Sequence, residues 1–341
     1  MALRLQDLPA PAAHLVLKVE RFLRQELKVS TQNKSLLLSL SGGPDSTALA
    51  LILTLLKKRL KLKEIAGFYL DHGLRKESKE EKRFLEDLSQ RQGFSLYFFS
   101  TRVDLIAQKT GKGLEEIGRN LRYKLLTYLT KKYGFELVAL GHHLNDLAED
   151  VLMRFIRGTG WPALGGMEAK IEQDFFTLLR PLIFLTKEEI LKFLELVGQG
   201  YCVDKSNEDL SFLRNRVRHN ILPLFLKENP LFLKNVFKIW KISQLERRDL
   251  KQILNKIEIK KDDCCIEVKR KDLEGLASLD RLNLLAFYLD KIGKGQVLFD
   301  NLYRLELFLE QDSSSAKTFE FPGKKKVKVL KDKIVIIKEN E

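Results

Sequence analysis

The hexapeptide Ser41-Gly42-Gly43-Pro44-Asp45-Ser46 is the part of this chain best suited to chemistry. Two glycines let the backbone turn sharply and bring N–H groups toward an anion, Pro44 suits a first helical position, and a helix starting there adds partial positive charge. Phosphate is the natural ligand of such a bend; the plainer alternative is a tight strand-to-helix turn that binds nothing. Asp45 beside a polyphosphate would need a cation between the two. A second segment, Asp71-His72-Gly73-Leu74-Arg75, stands where open α/β sheets place ligand groups, although by itself it also reads as a capped loop with a solvated arginine.

The third segment runs from Gly141-His142-His143-Leu144-Asn145-Asp146 through Leu147-Ala148-Glu149-Asp150. Leu144, Leu147, Ala148, Val151, Leu152, Phe155 and Ile156 recur at helical spacing, so that face should pack against the sheet. Asp146, Glu149 and Asp150 should then project together from the opposite side, where like charges call for a cation or lean on the helix dipole alone. His142 and His143 lack HxxxH spacing and a nearby cysteine, so phosphate contact or hydrogen bonding suits them better than zinc.

These residues need a frame. From Ser35 to about Gly141, short apolar runs alternate with stretches of helical period, the pattern of a parallel sheet with flanking helices. Strands are expected at Ser35 to Leu40, Ile65 to Leu70, Ser95 to Ser100 and Phe135 to Leu140. A helix is expected from Thr186, whose Thr-Lys-Glu-Glu start has an N-cap and an acidic first turn. After Pro223 long Leu/Lys/Phe stretches such as Asn235 to Leu254 and Leu279 to Asp290 predict a mostly helical domain. Thr318 to Ile337, with Pro322-Gly323 at its turn, predicts a small β-hairpin unit. The expected division is 1–225, 226–316 and 317–341.

The chain has 341 residues, 44% hydrophobic and 31% charged, which excludes collagen-like and broadly disordered classes. Lys and Arg total 60 against 46 Asp and Glu, a net charge of +14 that favours polyanionic partners such as RNA. Cys202, Cys264 and Cys265 form no CxxC pair and no disulfide framework, which fits a reducing compartment. No apolar run approaches the roughly 20 residues of a spanning helix, so a cytoplasmic protein is expected. Neither GxxxxGK[ST] nor GxGxxG occurs, which removes the usual support for γ-phosphate kinases and nicotinamide enzymes.

The glycine loop resembles the PP-loop of the ATP pyrophosphatases, which cut ATP between its α and β phosphates. With all three segments in order, the sequence resembles the tRNA(Ile)-lysidine synthetase family, whose pattern runs SGGxDS, DHxLR, a glutamate-arginine helix, AHHxxDxxET and RGxG. The helix stands here as Glu115-Glu116-Ile117-Gly118-Arg119-Asn120-Leu121-Arg122-Tyr123, and RGxG as Arg157-Gly158-Thr159-Gly160. Arg180-Pro181-Leu182, Asp204-Lys205-Ser206-Asn207 and Arg214-Asn215-Arg216-Val217-Arg218 extend the match over residues 30 to 225. Departures are Gly141 for the usual Ala, Asn145 for a frequent Asp and Asp150 for Thr.

The resemblance implies a PP-loop fold in which Ser41, Gly42, Gly43, Pro44, Asp45, Ser46, His72, Arg75 and His142 bind ATP and Asp45 also meets Mg²⁺. It implies Asp45, Arg119, Arg214 and Arg216 as catalytic groups, and Asp146 and Glu149 as the site for lysine's free ammonium. The implied reaction joins L-lysine to C2 of the wobble cytidine in tRNA(Ile) with a CAU anticodon, through an adenylated cytidine, releasing AMP and pyrophosphate. RNA contact is expected from the helical domain and from Lys324-Lys325-Lys326, a run that equally suits a charged hairpin edge. No membrane is involved, and a homodimer is left open. The alternatives are another PP-loop enzyme, such as a tRNA thiolation enzyme or NAD synthetase, or a non-catalytic nucleotide- or RNA-binding module.

Overall fold

The computed structural model describes residues 3–73, 78–111, 113–203, 209–262, 264–293, 295, 297, 299–311 and 315–339. It falls into two compact units, residues 1–149 with 168–233, and residues 150–167 with 234–341. The first is built on a six-stranded sheet of β1 (Ser35–Leu40), β2 (Glu64–Asp71), β3 (Ser95–Ser100), β4 (Leu137–Leu140), β5 (Lys170–Glu172) and β6 (Thr177–Leu179), in the order β3-β2-β1-β4-β6-β5. All pairings are parallel except β5 with β6. The four expected strands are present.

β1 lies at the centre because it can be buried on both faces. Leu36 and Leu38 join one apolar cluster, while Leu37, pointing the other way, joins the second. The Pro44–Leu56 helix that follows is equally apolar and is buried from Ser46 through Leu53. From β1 the chain steps outward to β2 and β3, then returns past β1 to lay β4 on its other side. That reversal opens a crevice at the carboxyl ends of β1 and β4, where doubly wound sheets bind ligands. The glycine loop follows β1 and the His142-His143 segment follows β4, so topology delivers both to one place.

The second unit contains most of the Phe232–Lys256 helix, the helices Ser278–Ile292 and Phe299–Glu310, and a five-stranded antiparallel sheet. Its strands are β7 (Ile259–Lys261), β8 (Cys265–Lys269), β9 (Lys317–Phe321), β10 (Lys325–Val329) and β11 (Lys333–Lys338), in the order β7-β8-β11-β10-β9. The expected hairpin therefore exists but does not stand alone as 317–341. β11 pairs with β8, and Val327, Val329, Ile334 and Ile336 share a core with Ile266, Leu285 and Leu305. These three strands are one side of a larger sheet, and their apolar face is covered by the strands and helices before them. The short strands at 259–269 interrupt the expected mostly helical middle. They alternate short apolar and charged residues, a weak signal inside a lysine-rich stretch.

Candidate active site

The glycine loop is held in shape by its own side chains. Ser41 donates its backbone N–H to Ser46 Oγ at 3.1 Å, Ser46 Oγ donates to the Gly43 carbonyl at 3.1 Å, and Thr47 Oγ1 donates to the Gly42 carbonyl at 3.2 Å. Gly42 adopts φ +78°, a conformation that strains any residue with a Cβ. Pro44 occupies the first helical turn, as expected. Sequence reasoning missed a further brace, the Cys202 backbone N–H donating to the Gly42 carbonyl at 2.9 Å.

Gly141 closes the crevice from β4. A Cβ added there would sit 3.1 Å from the Asp45 carbonyl carbon and oxygen and 3.2 Å from the Ser46 nitrogen. The glycine that departs from the usual alanine thus lets the two segments pack almost backbone to backbone. His143, next along, donates its N–H to Asp146 Oδ2 at 3.0 Å, while its Nε2 lies 3.4 Å from Asp146 Oδ2 and 3.6 Å from Asp45 Oδ1.

Asp146 and Glu149 are buried rather than projected into solvent. The cation expected beside them is a pair of arginines. Arg214 donates from Nε to Glu149 Oε2 at 2.9 Å and from Nη2 to Asp146 Oδ1 at 2.8 Å, and Arg218 donates from Nε to Glu149 Oε1 at 2.6 Å. Burial pushes the Asp146 carboxyl upward, but His143 and Arg214 outweigh it and hold the group below the usual carboxylate range. Asp150 leaves the expected acidic trio by pairing with Arg154 one turn on, at 2.8 Å.

Arg216 is not part of this network. Its Nη1 donates to the carbonyls of Leu210 and Ser211, at 2.9 and 2.6 Å, and braces a local turn. The reason is helical phase: residues four apart share a face, so Arg218 follows Arg214 into the site while Arg216 points elsewhere. That spacing was readable in the sequence.

His142 accepts a hydrogen bond at Nδ1 from Arg180 Nε at 3.1 Å. Burial, aided by Arg180, Arg214 and Arg122 and opposed by Asp146, pushes its pKa down to about 3. The ring is therefore neutral near pH 7, and because an arginine can only donate, its proton lies on Nε2. His142 can donate one hydrogen bond to an anion but cannot supply charge.

Charge comes from the Leu114–Tyr133 helix. Arg119 lies over the Tyr123 ring at 5.7 Å, and Arg122 is lowered in pKa by burial and by Arg119 and Arg214. Neither Arg119 nor Arg122 has an ion-pair partner among the described residues. Neighbouring cations without carboxylates form a place for an anion. His72 packs its ring against Gly118 of the same helix, where a Cβ would lie 3.1 Å from Cε1. Arg75 and the Asp204-Asn207 stretch lie outside the described residues.

Among the described residues no group of three His, Cys, Asp or Glu side chains could hold a metal ion. Mg²⁺ is commonly bound by one or two carboxylates together with substrate phosphates, so the single Asp45 at a polyphosphate loop fits that ion.

A PP-loop domain model matches residues 12–225, well over half of the chain. A curated relative, the tRNA(Ile)-lysidine synthase of Nitratidesulfovibrio vulgaris, is 35% identical over 294 residues, covering 81% of this chain and 84% of the relative. The tRNA(Ile)-lysidine synthase of Thermosipho africanus is 35% identical over 238 residues, covering 68% of this chain but only 55% of the relative. The solved structure of the U34-tRNA thiolase NcsA from Methanococcus maripaludis, with its [4Fe-4S] cluster, shares the fold. It gives a TM-score of 0.56 at 21% identity over 68% of this chain and 79% of its own.

Proposed function

The chain belongs to the tRNA(Ile)-lysidine synthase family of PP-loop proteins, and from that premise we propose how its residues divide the work of lysidine formation on tRNA(Ile). The observation that carries the reading is the approach of Gly141 to Asp45, which joins the glycine loop and the carboxylate helix in one crevice. In the proposed scheme the backbone of Gly42, Gly43 and Pro44, with Ser41 and Ser46, holds the pyrophosphate part of ATP. The start of the Pro44–Leu56 helix adds partial positive charge there. Asp45 would hold Mg²⁺, which neutralises phosphate charge and polarises the reacting phosphoryl group.

The C2 oxygen of the wobble cytidine attacks the α-phosphorus of ATP, and pyrophosphate leaves. An amine of L-lysine then attacks C2; the C–O bond breaks, AMP departs with that oxygen, and the amine loses a proton. Arg119, Arg122 and Arg214 are placed to stabilise negative charge on the phosphates or the adenylated base, and His142 Nε2–H to donate a hydrogen bond.

Asp146 and Glu149 are proposed to receive the ammonium of lysine that does not react. Both already have guanidinium partners, so lysine must displace one. Arg214 is the exchangeable partner, since Arg218 grips Glu149 through both carboxylate oxygens. The CAU anticodon would enter the same crevice, and the net charge of +14 supports backbone contacts to the rest of the tRNA. Three cysteines outside any disulfide suit a cytoplasmic setting, and among the described residues no helix is long and apolar enough to cross a membrane.

The test is ATP-dependent incorporation of labelled lysine into total bacterial tRNA, with AMP measured in parallel and sulfur donors as the control. Lysine incorporation with stoichiometric AMP is expected. Sulfur incorporation, or ATP cleavage independent of lysine and tRNA, would reject the reading.

A further inference from the structure

Lys187 has no part in the scheme above, yet it is among the most firmly placed cations near the glycine loop. It is the first residue of the Lys187–Leu196 helix, whose start is locked by a capping box. Thr186 Oγ1 accepts from the Glu189 N–H at 3.1 Å, and Glu189 Oε2 accepts from the Thr186 N–H at 2.8 Å. The Lys187 N–H donates in turn to Asn145 Oδ1 at 3.0 Å, which ties this helix to the segment after β4. From that anchored base the side chain reaches the loop, and Nζ donates to Asp45 Oδ1 at 2.7 Å.

Stability does not account for this placement. Both side chains of the pair keep about a third of their surface accessible, 33% for Lys187 and 29% for Asp45. Such half-open ion pairs contribute little to stability. Asp45 is also the carboxylate proposed to meet Mg²⁺, and a carboxylate cannot give the same oxygen to an ammonium and a divalent cation at full strength. An ammonium released from it, on a flexible four-carbon arm above a loop shaped for phosphate, has an anion within reach.

We infer that Lys187 is a phosphate-binding residue of this ATP site, paired with Asp45 until Mg²⁺ takes that carboxylate and then transferred to the ATP phosphates, with Asn145 as its positioning residue. The inference rests on the ATP reading of the loop. It also accounts for a departure from the family pattern. An amide oxygen at Asn145 and a carboxylate oxygen of the frequent Asp both accept from the Lys187 N–H, so either residue keeps the anchor.

The experiment uses the full chain and the Lys187→Met, Lys187→Arg, Asn145→Ala and Asn145→Asp variants, each checked for fold by circular dichroism. Binding of α,β-methylene-ATP with Mg²⁺ is measured by calorimetry, where no turnover occurs, and AMP formation is measured separately. Lys187→Met should weaken analogue binding about 10- to 100-fold, and Lys187→Arg should restore most of it. Asn145→Ala should weaken binding about 3- to 10-fold while Asn145→Asp stays near wild type. This second pair keeps the lysine and so tests its placement even if Lys187→Met folds poorly. Wild-type affinity in both Lys187→Met and Asn145→Ala would overturn the inference. Failure of the unmodified chain to bind the analogue would instead overturn the ATP reading beneath it.

Discussion

Two clusters of buried charge, one in each unit, look alike in composition and differ in what their cations do next. In the second unit Arg281 donates from Nε and Nη2 to Glu306 and from Nη1 to the Leu276 carbonyl at 3.1 Å. Its side chain is 10% exposed and that of Glu306 2%, so the pair is closed. Lys325, fully buried, ends likewise on the carbonyls of Leu289 and Gly295, at 3.2 and 2.7 Å. In the first unit Glu149 is as deeply buried, at 1%, yet its partners Arg214 and Arg218 are 27% and 30% exposed. The carboxylates are sheltered and the guanidiniums face outward. A closed cluster spends its hydrogen bonds on the fold, whereas an open one keeps directed charge for a ligand.

Asp45→Ala should break the open cluster's chemistry most severely. AMP formation is expected to fall at least about a thousandfold while tRNA binding in a filter assay stays within about twofold; AMP production equal to wild type would remove Asp45 from the reaction. Arg281→Met attacks the closed cluster and should cost about 3–5 kcal/mol in urea unfolding of the full chain, because Glu306 is left buried without a cation. Adding Glu306→Leu should recover much of that loss, and no recovery would show that the pair is not the source.

Next in size, Glu149→Gln should raise the lysine KM about tenfold while moving the ATP KM less than threefold. Equal shifts would take the lysine ammonium away from this helix. Arg218→Ala should behave like Glu149→Gln because it orients that carboxylate, whereas Arg216→Ala should change either KM by less than about twofold. A reversed order would contradict the helical-phase argument.

A further contrast concerns acid stability. His142 stays neutral in the fold down to about pH 3, against an ordinary value of 6.5. Between those values the unfolded chain binds a proton that the folded chain refuses, so stability falls as pH drops from 6.5 toward 3 and is unaffected above 6.5. His142→Gln should therefore flatten the stability-against-pH curve between pH 6.5 and 4 in denaturant melts. Parallel curves would mean that the ring is not held neutral.

The lysine run Lys324-Lys325-Lys326 shows why one dimension misleads about surfaces. Three adjacent lysines look like a patch for RNA, but Lys325 points inward and Lys326 pairs with Glu320 and Glu339, at 3.4 and 2.7 Å. Alternation along β10 sends neighbouring side chains to opposite faces. A cleft of about 490 Å³ in that unit is lined by Arg304 and Lys317 together with Glu320, a mixed rather than a uniformly basic surface.

Local order along the chain was enough to predict β1, the proline-led helix after it and the N-cap with an acidic first turn at Thr186. Those features depend on contacts within a few residues, on periodicity and on glycine or proline geometry. The partners chosen across the fold were not predictable that way: Arg214 and Arg218 on Glu149, Arg180 on His142, Cys202 on Gly42 and Lys187 on Asp45. Each pair is separated by 38 to 160 positions in sequence, and nothing in residue type says which of many arginines or lysines will arrive. The strand reversal between β3 and β4 and the packing of the helices on the sheet made that selection, because only a closed tertiary structure sets the distances on which Coulomb attraction and desolvation depend.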